Sequence, residues 1–226
     1  VKKIGLVGGM SWESTDTYYQ LINRGIRDRL GDLNSAEMLM YSLNFADVEE
    51  HQRNGNFLVA ANKILHAAGE LERAGAEGIF ICSVTGHEGA DYIQSKISIP
   101  LIHIADCINP YIEDYGRVGL IATVYTMERG YFKSRLIPEV IVPEEEDRRY
   151  ISSVIYNEIS QGIILESSAE RYRQIIKKLI VNGAEAIIYG CTEIGLLVNH
   201  ADACVPVYDT TIIHCQAAID FTLGTS

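Results

Sequence analysis

Two stretches of this chain follow the same plan. GELERAGAEGIFICSVT (69–85) and RYRQIIKKLIVNGAEAIIYGCTE (171–193) each close a helical pattern with Gly-Ala-Glu, then pass into an apolar run that ends in small and polar residues. The Gly-Ala-Glu triplets start at 75 and at 183, a step of 108. Two further echoes keep the same order. GRVGLIATVYT (116–126) matches KKIGLVGGMSW (2–12), setting Gly119 against Gly5, and VPVYD (205–209) matches IPLIH (99–103), setting Pro206 against Pro100. Three echoes in one order point to two related halves rather than to chance likeness among apolar strands. In 226 residues each half has the size of a small domain.

Inside each half, short apolar runs alternate with helical patterns. KKIGLVGG precedes STDTYYQLINRGIRDRL, EMLMYSL precedes FADVEEHQ, and EGIFICS and IPLIHIAD read as strands. In FLVAANKILHAAGELERAG, Leu58, Ala61, Leu65, Ala68 and Leu71 recur every three or four residues, which predicts a helix with that apolar stripe, ended by Gly75. The alternation predicts an α/β fold: two similar Rossmann-like halves with parallel sheets, related by a pseudo-twofold, with the ligand site in the cleft between them. The expected division is residues 1–106 plus 211–226 for the first domain and 107–210 for the second.

Composition narrows the partners. The chain is 47% hydrophobic and 22% charged, with a net charge of −11, so it can bury a sizeable core and lacks the basic excess that nucleic acid or an anionic membrane requires. No apolar run approaches ~18 residues, so no membrane span is expected. The opening VKKIGLVGG has no cationic segment, apolar run and cleavage site in series, so no signal peptide is expected. Cysteines at 82, 107, 191, 204 and 215 are odd in number and lack CxxC spacing, which argues for reduced thiols in a cytoplasmic protein rather than disulfides or a zinc ribbon. Six scattered histidines form no HxxxH or HExxH, so no metal site is expected. No GxGxxG or GxxxxGK[ST] is present, so neither a dinucleotide nor a nucleoside triphosphate is implied.

The step of 108 sets Ser83 against Cys191, Val84 against Thr192 and Thr85 against Glu193. Ligands of open α/β sheets bind beyond the carboxyl ends of strands, so two facing halves would bring Ser83 and Cys191 to opposite sides of one ligand. Acid/base groups on opposite faces of a carbon remove a proton from one side and return it on the other, inverting a stereocentre. A thiol suits that work, whereas a serine hydroxyl is a weak base and no His or Lys stands beside Ser83 in sequence to activate it. Cys82 is no substitute, because strand alternation turns it to the other face.

IGLVGGMSWEST, GIFICSVTGH, GCTEIGLLV and VPVYDTT together resemble the aspartate/glutamate racemase family, over essentially the whole chain. Gly190-Cys191-Thr192-Glu193 reads as that family's Gly-Cys-Thr-Glu, while WEST, HQRNG and VYTM point to the branch of L-aspartate/glutamate-specific racemases. The resemblance implies racemisation without pyridoxal phosphate or metal, hence no cofactor, with a small amino-acid or dicarboxylate substrate and a homodimer. It places Ser83 and Cys191 at the catalytic positions. The family usually reads Cys-Asn-Thr at the first tip. Here Ser83 takes the Cys position and Val84 that of the Asn, whose side chain would donate to a substrate carboxylate. One branch carries Thr at the Cys position.

Further substrate-binding candidates are Met10 and Ser11 in the glycine turn, Gln52, Val84, Thr85, Thr123, Thr126 and Thr192. The turn Gly8-Gly9-Met10-Ser11 can offer amides to a carboxylate at a helix start, or be a tight turn with Ser11 or Ser14 as N-cap. Gln52 matches a carboxylate-binding position of the L-specific branch; alone, its segment reads as a solvated helix face. Glu193 can orient Cys191 or Thr192, or simply open a helix. His87 reads as a core or capping residue, EEEDRR (144–149) as a solvated helix start, and Cys107, Cys204 and Cys215 as buried fillers. Two other functions stay open. One is a racemase-like decarboxylase that protonates an enolate with a single cysteine; the other is a silent or engineered variant that binds without turnover.

Overall fold

The computed structural model describes residues 1–225. The chain divides into two compact units, one made of Val1–Ile104 and the segment from Ile212 onward, the other of Ala105–Thr211. Both are α/β with parallel sheets. In the first, β1 (Ile4–Gly8), β2 (Met38–Ser42) and β3 (Gly78–Ile81) lie in the order β2-β1-β3. In the second, β4 (Arg117–Ala122), β5 (Glu139–Ile141), β6 (Ala186–Gly190) and β7 (Val207–Asp209) lie in the order β5-β4-β6-β7. Among the described residues no helix is long and apolar enough to cross a membrane.

The sequence echoes become structural equivalences. A Cβ at Gly5 would meet Leu71, Ala76 and Ile79 at 3.0–3.1 Å. One at Gly119 would meet Leu179, Ala184 and Ile187 at 2.8–3.3 Å, the same three residues moved on by 108. Gly75 and Gly183, with φ of +94° and +96°, end their helices in the same left-handed bend. The next residues return to the helix in the same way, Ala76 donating to the Leu71 carbonyl and Ala184 to the Leu179 carbonyl, both at 3.0 Å. The glutamates then fasten the neighbouring strand: Glu77 Oε1 accepts the Lys3 N–H at 2.9 Å and Glu185 Oε1 the Arg117 N–H at 3.1 Å. Pro100 and Pro206 offer their carbonyls to Ile79 and Ile187 at 2.8 and 2.9 Å.

Two expectations for the first unit need correction. IPLIHIAD forms no extended strand: pairing is limited to a bridge between Leu101 and Ile79, and a helix, Ile104–Ile112, follows at once. The helix begins three residues after the bridge and leaves no extended chain for a longer ladder, whereas the matching segment after Pro206 continues as β7. The helix Phe57–Arg73 buries Ala60, Ala61, Ile64, Ala67, Ala68 and Leu71, while Leu58 is exposed and Leu65 half-buried. Its core face is built around small residues, which brings the helix close to the sheet.

The first sheet is covered on both sides. Val7, Ile79 and Ile81 pack with Ile64, Ala67, Ala68 and Leu71. Ile4, Leu6, Phe80 and Cys82 pack with Tyr18, Ile22 and Ile26 of helix Trp12–Leu30 and with Cys215, Ala218 and Ile219 of the C-terminal helix Thr210–Leu223. Each fully buried Ile or Leu contributes about 1.5–3 kcal/mol. Cys82 thus faces away from the Ile81 side, and burial drives its thiol pKa far up.

His214 lies wholly buried in this unit, taking the Tyr18 hydroxyl on Nδ1 at 2.8 Å and donating from Nε2 to the Ile102 carbonyl at 3.0 Å. Burial, then the neighbouring His87, lowers its pKa to about 3. Above pH 6.5 both folded and unfolded rings are neutral. Between about 6.5 and 3 only the unfolded ring takes a proton, so folding stability falls by about 1.4 kcal/mol per pH unit on this account. His214→Gln is expected to flatten the acid side of the stability profile, measured by urea unfolding from pH 7 to 4.

In the second unit the acidic run is less solvated than its composition suggests. Helix Glu145–Asn157 has Asp147 buried and bonded to Arg171 and Lys178, each at 2.7 Å. The cysteines also separate by environment. Cys215 is buried, Cys107 is half-buried with its pKa pushed up to about 12 by burial, and Cys204 is exposed, so it fills no core.

Candidate active site

Each unit ends its strands in a polar turn, and the candidate residues divide between them. The first unit carries Met10, Ser11, Gln52, Ser83, Val84 and Thr85; the second carries Thr123, Thr126, Cys191 and Thr192.

The turn after β1 is fixed by Thr15, whose Oγ1 accepts the Gly9 N–H at 2.8 Å and donates to the Ser11 carbonyl at 2.9 Å. Gly9 has φ +87°, and a Cβ there would lie 2.1 Å from the Leu43 carbonyl oxygen, so only glycine fits. Ser11 is the N-cap of helix Trp12–Leu30, its Oγ accepting the Ser14 N–H at 3.2 Å. Ser14 in turn donates to the Cys82 carbonyl at 3.0 Å, tying this turn to the tip of β3.

At that tip Ser83 is half-buried, while Val84, Thr85 and Gly86 are buried. The chain coils into a 3-10 turn, Thr85–Gly89, and Ser83 Oγ accepts the Gly86 N–H at 3.2 Å. A Cβ on Gly86 would lie 3.4 Å from both Met10 Cε and Ser83 Cβ, so Met10 and Ser83 both border Gly86. His87 aims neither ring nitrogen at the hydroxyl: Nδ1 donates to the Ser83 carbonyl at 2.7 Å, and Nε2 accepts the Ile104 N–H at 3.4 Å. Gln52 is buried in helix Phe45–Arg53.

The second tip is chemically different. Ala122 pairs with Gly190, so Thr123 and Cys191 leave adjacent strand ends side by side. Cys191 is half-buried and its S–H donates to Glu193 Oε2 at 3.0 Å. Burial first, then the charge of Glu193 and its hydrogen bond, raise the thiol pKa well above the ordinary value, with Asp209 adding to the rise. The resting group is a thiol poised beside a carboxylate that can take its proton. Glu193→Gln is expected to lower this pKa and speed alkylation of Cys191 by iodoacetamide at pH 8, followed by peptide mapping; an unchanged or slower rate would contradict the assignment.

Thr123 caps helix Val124–Glu128, its Oγ1 accepting the Thr126 N–H at 3.4 Å and lying 3.2 Å from Thr126 Oγ1. Thr126 Oγ1 meets the Tyr131 hydroxyl at 2.6 Å, giving a run of three hydroxyls suited to a carboxylate without adding charge. Tyr131 and Asp209 were not singled out from sequence. A Cβ on Gly195 would lie 3.2 Å from Asp209 Oδ2, which places this carboxylate against the turn after Cys191. The echo VPVYD/IPLIH contained a signal for Asp209, the polar residue that ends the fourth strand position; Tyr131 had none. Among the described residues, no group of three or more His, Cys, Asp or Glu could hold a metal ion.

Comparison with known proteins agrees with this architecture. A family model described as Asp/Glu/hydantoin racemase matches residues 7–218. A solved structure from Yersinia pestis, provisionally named an Asp/Glu racemase, is 46% identical, with 99% of this chain and 100% of that one covered and a TM-score of 0.92. An aspartate racemase homologue from Pyrococcus horikoshii OT3 is 30% identical over 99% of this chain and 100% of its own, with a TM-score of 0.83. The broad specificity amino-acid racemase RacX of Bacillus subtilis (strain 168) is 20% identical over 227 residues, 98% of each chain.

Proposed function

The chain belongs to the Asp/Glu/hydantoin racemase family and is an isomerase of that kind, and from that premise we propose that it is a cofactor-independent racemase of aspartate- or glutamate-type amino acids. Cys191 is the acid/base on one face of the substrate Cα, and Ser83 is a weak partner on the other. The observation that carries this reading is the Cys191 thiol at a strand tip, bonded at 3.0 Å to Glu193.

The chemistry runs in balanced proton steps. Glu193 takes the thiol proton, and the thiolate takes the Cα proton of one enantiomer, leaving a carbanion delocalised into the carboxylate. The hydroxyls of Thr123, Thr126 and Tyr131, with Thr85, Thr192 and the amides of the Met10–Ser11 turn, hold the charge that develops on that carboxylate. Return of the proton from Cys191 restores the starting enantiomer. Inversion requires Ser83 to deliver a proton to the other face, after which solvent water takes the proton from Glu193 and returns one to the Ser83 alkoxide. The Ser83 hydroxyl oxygen is taken up by the Gly86 N–H and the His87 ring points at the Ser83 carbonyl instead, so that delivery limits the rate. Incubation of L- and D-Asp, L- and D-Glu and a panel of neutral amino acids without added cofactor, followed by chiral chromatography, tests the proposal. Slow interconversion of an acidic pair supports it; no interconversion of any amino acid defeats it.

Val84 supports a second reading. It is buried at the first tip and has no side-chain donor for a substrate carboxylate. A single cysteine protonating one face of an enolate is what a decarboxylase of this fold needs, and carbon dioxide release from a disubstituted malonate would distinguish it.

A further inference from the structure

Behind the Ser83 tip lie three buried histidines, 87, 103 and 214, with the ring of His87 4.7 Å from that of His103 and 5.6 Å from that of His214. The two neighbours of His87 fix its tautomer. The Ser83 carbonyl at Nδ1 can only accept, and the Ile104 N–H at Nε2 can only donate, which places a proton on Nδ1. His214 is fixed the other way, with Nε2 facing the Ile102 carbonyl and Nδ1 facing the Tyr18 hydroxyl. One imidazole therefore joins the tip that carries Ser83 to the start of helix Ile104–Ile112.

The duplication shows that this arrangement is particular to the first unit. The step of 108 sets His87 against Gly195, and the IPLIH/VPVYD echo sets His103 against Asp209. The two positions adjoin in both units: His87 meets His103, and Gly195 lies against Asp209. The first unit fills the pair with two rings, the second with a glycine and a carboxylate. The Ser83 carbonyl receives a side-chain N–H at 2.7 Å, whereas the Cys191 carbonyl receives the main-chain N–H of Ile194 at 3.2 Å. The second tip controls its reactive group through charge. The first has no such charge at the equivalent positions, Thr85 and His103, and is held by a ring instead.

We infer that His87 is a positioning residue for the reaction: its Nδ1–H holds the Ser83 carbonyl and thereby sets the direction of the Ser83 hydroxyl and of the amides that follow it. The inference rests on the racemase reading. It distinguishes two ways of removing the ring. Asparagine places an N–H near the position of Nδ1, whereas glutamine reaches toward the position of Nε2.

His87→Phe is expected to lower kcat for racemisation about ten- to hundredfold, with KM changed much less, the size of effect that a misplacement of about 1 Å produces. His87→Asn should recover most of that loss and His87→Gln little of it, at similar melting temperatures. Equal kcat in all three variants, or losses that follow only the melting temperature, would overturn the inference. Nitrogen-15 NMR of the histidine rings in the unaltered protein at pH 7 gives a test that does not depend on activity. A neutral Nδ1–H ring for His87 supports the inference, and an Nε2–H ring overturns it. Absence of turnover in the unaltered protein would instead overturn the racemase reading, and the inference with it.

Discussion

Ser83→Cys is expected to raise racemisation on the order of a hundredfold, the effect of supplying a competent general acid/base where one is missing. The surroundings favour a thiol there. Ser83 Oγ already accepts the Gly86 N–H, a bond that also steadies a thiolate. The neighbours that raise the Cys191 pKa are Glu193 and Asp209, and their counterparts at the first tip, Thr85 and His103, carry no carboxylate. A cysteine at position 83 would ionise more readily than Cys191, so the two thiols would divide the work, one as base and one as acid. Chiral chromatography of product from each enantiomer checks this. A variant no faster than the unaltered protein would show that Ser83 is not the limiting partner.

Cys191→Ala has the opposite expected effect, a loss of about 10²–10⁴-fold in both racemisation and Cα exchange. The side chain is half-buried and small, and its S–H bonds to Glu193, a neighbour in sequence, so the fold should survive. The double variant Ser83→Cys/Cys191→Ala sharpens the result. Cα exchange should return for the enantiomer opposite to the one the unaltered protein exchanges. Turnover that persists at the original rate in Cys191→Ala would place the chemistry elsewhere.

The two substitutions address positions that sequence repetition alone brought into register. Gly5 and Gly119 share the same three neighbours because the repeat preserved a tight packing position that favours glycine. The Gly-Ala-Glu triplets preserve a helix stop and a strand clamp, each a local device that short sequence specifies. Features that depend on distant segments were hidden. Asp209 reaches the Cys191 turn from a different strand, and Tyr131 reaches Thr126 from a separate short helix. Asp147 reads as solvated until Arg171 and Lys178, on another helix, close over it. His214 joins His87 and His103 only because the C-terminal helix returns to the first unit, which no spacing in the chain announces. The stripe Leu58/Leu65 misled because the buried face is turned by one position, onto Ala60, Ile64, Ala67 and Leu71.

The division of labour between the tips is tested most directly by solvent deuterium incorporation at Cα of L- and D-aspartate and of L- and D-glutamate, followed by mass spectrometry before inversion accumulates. One enantiomer of the substrate pair is expected to exchange readily through Cys191, while the other, which depends on Ser83, exchanges far more slowly. Equal and fast exchange of both enantiomers would contradict it.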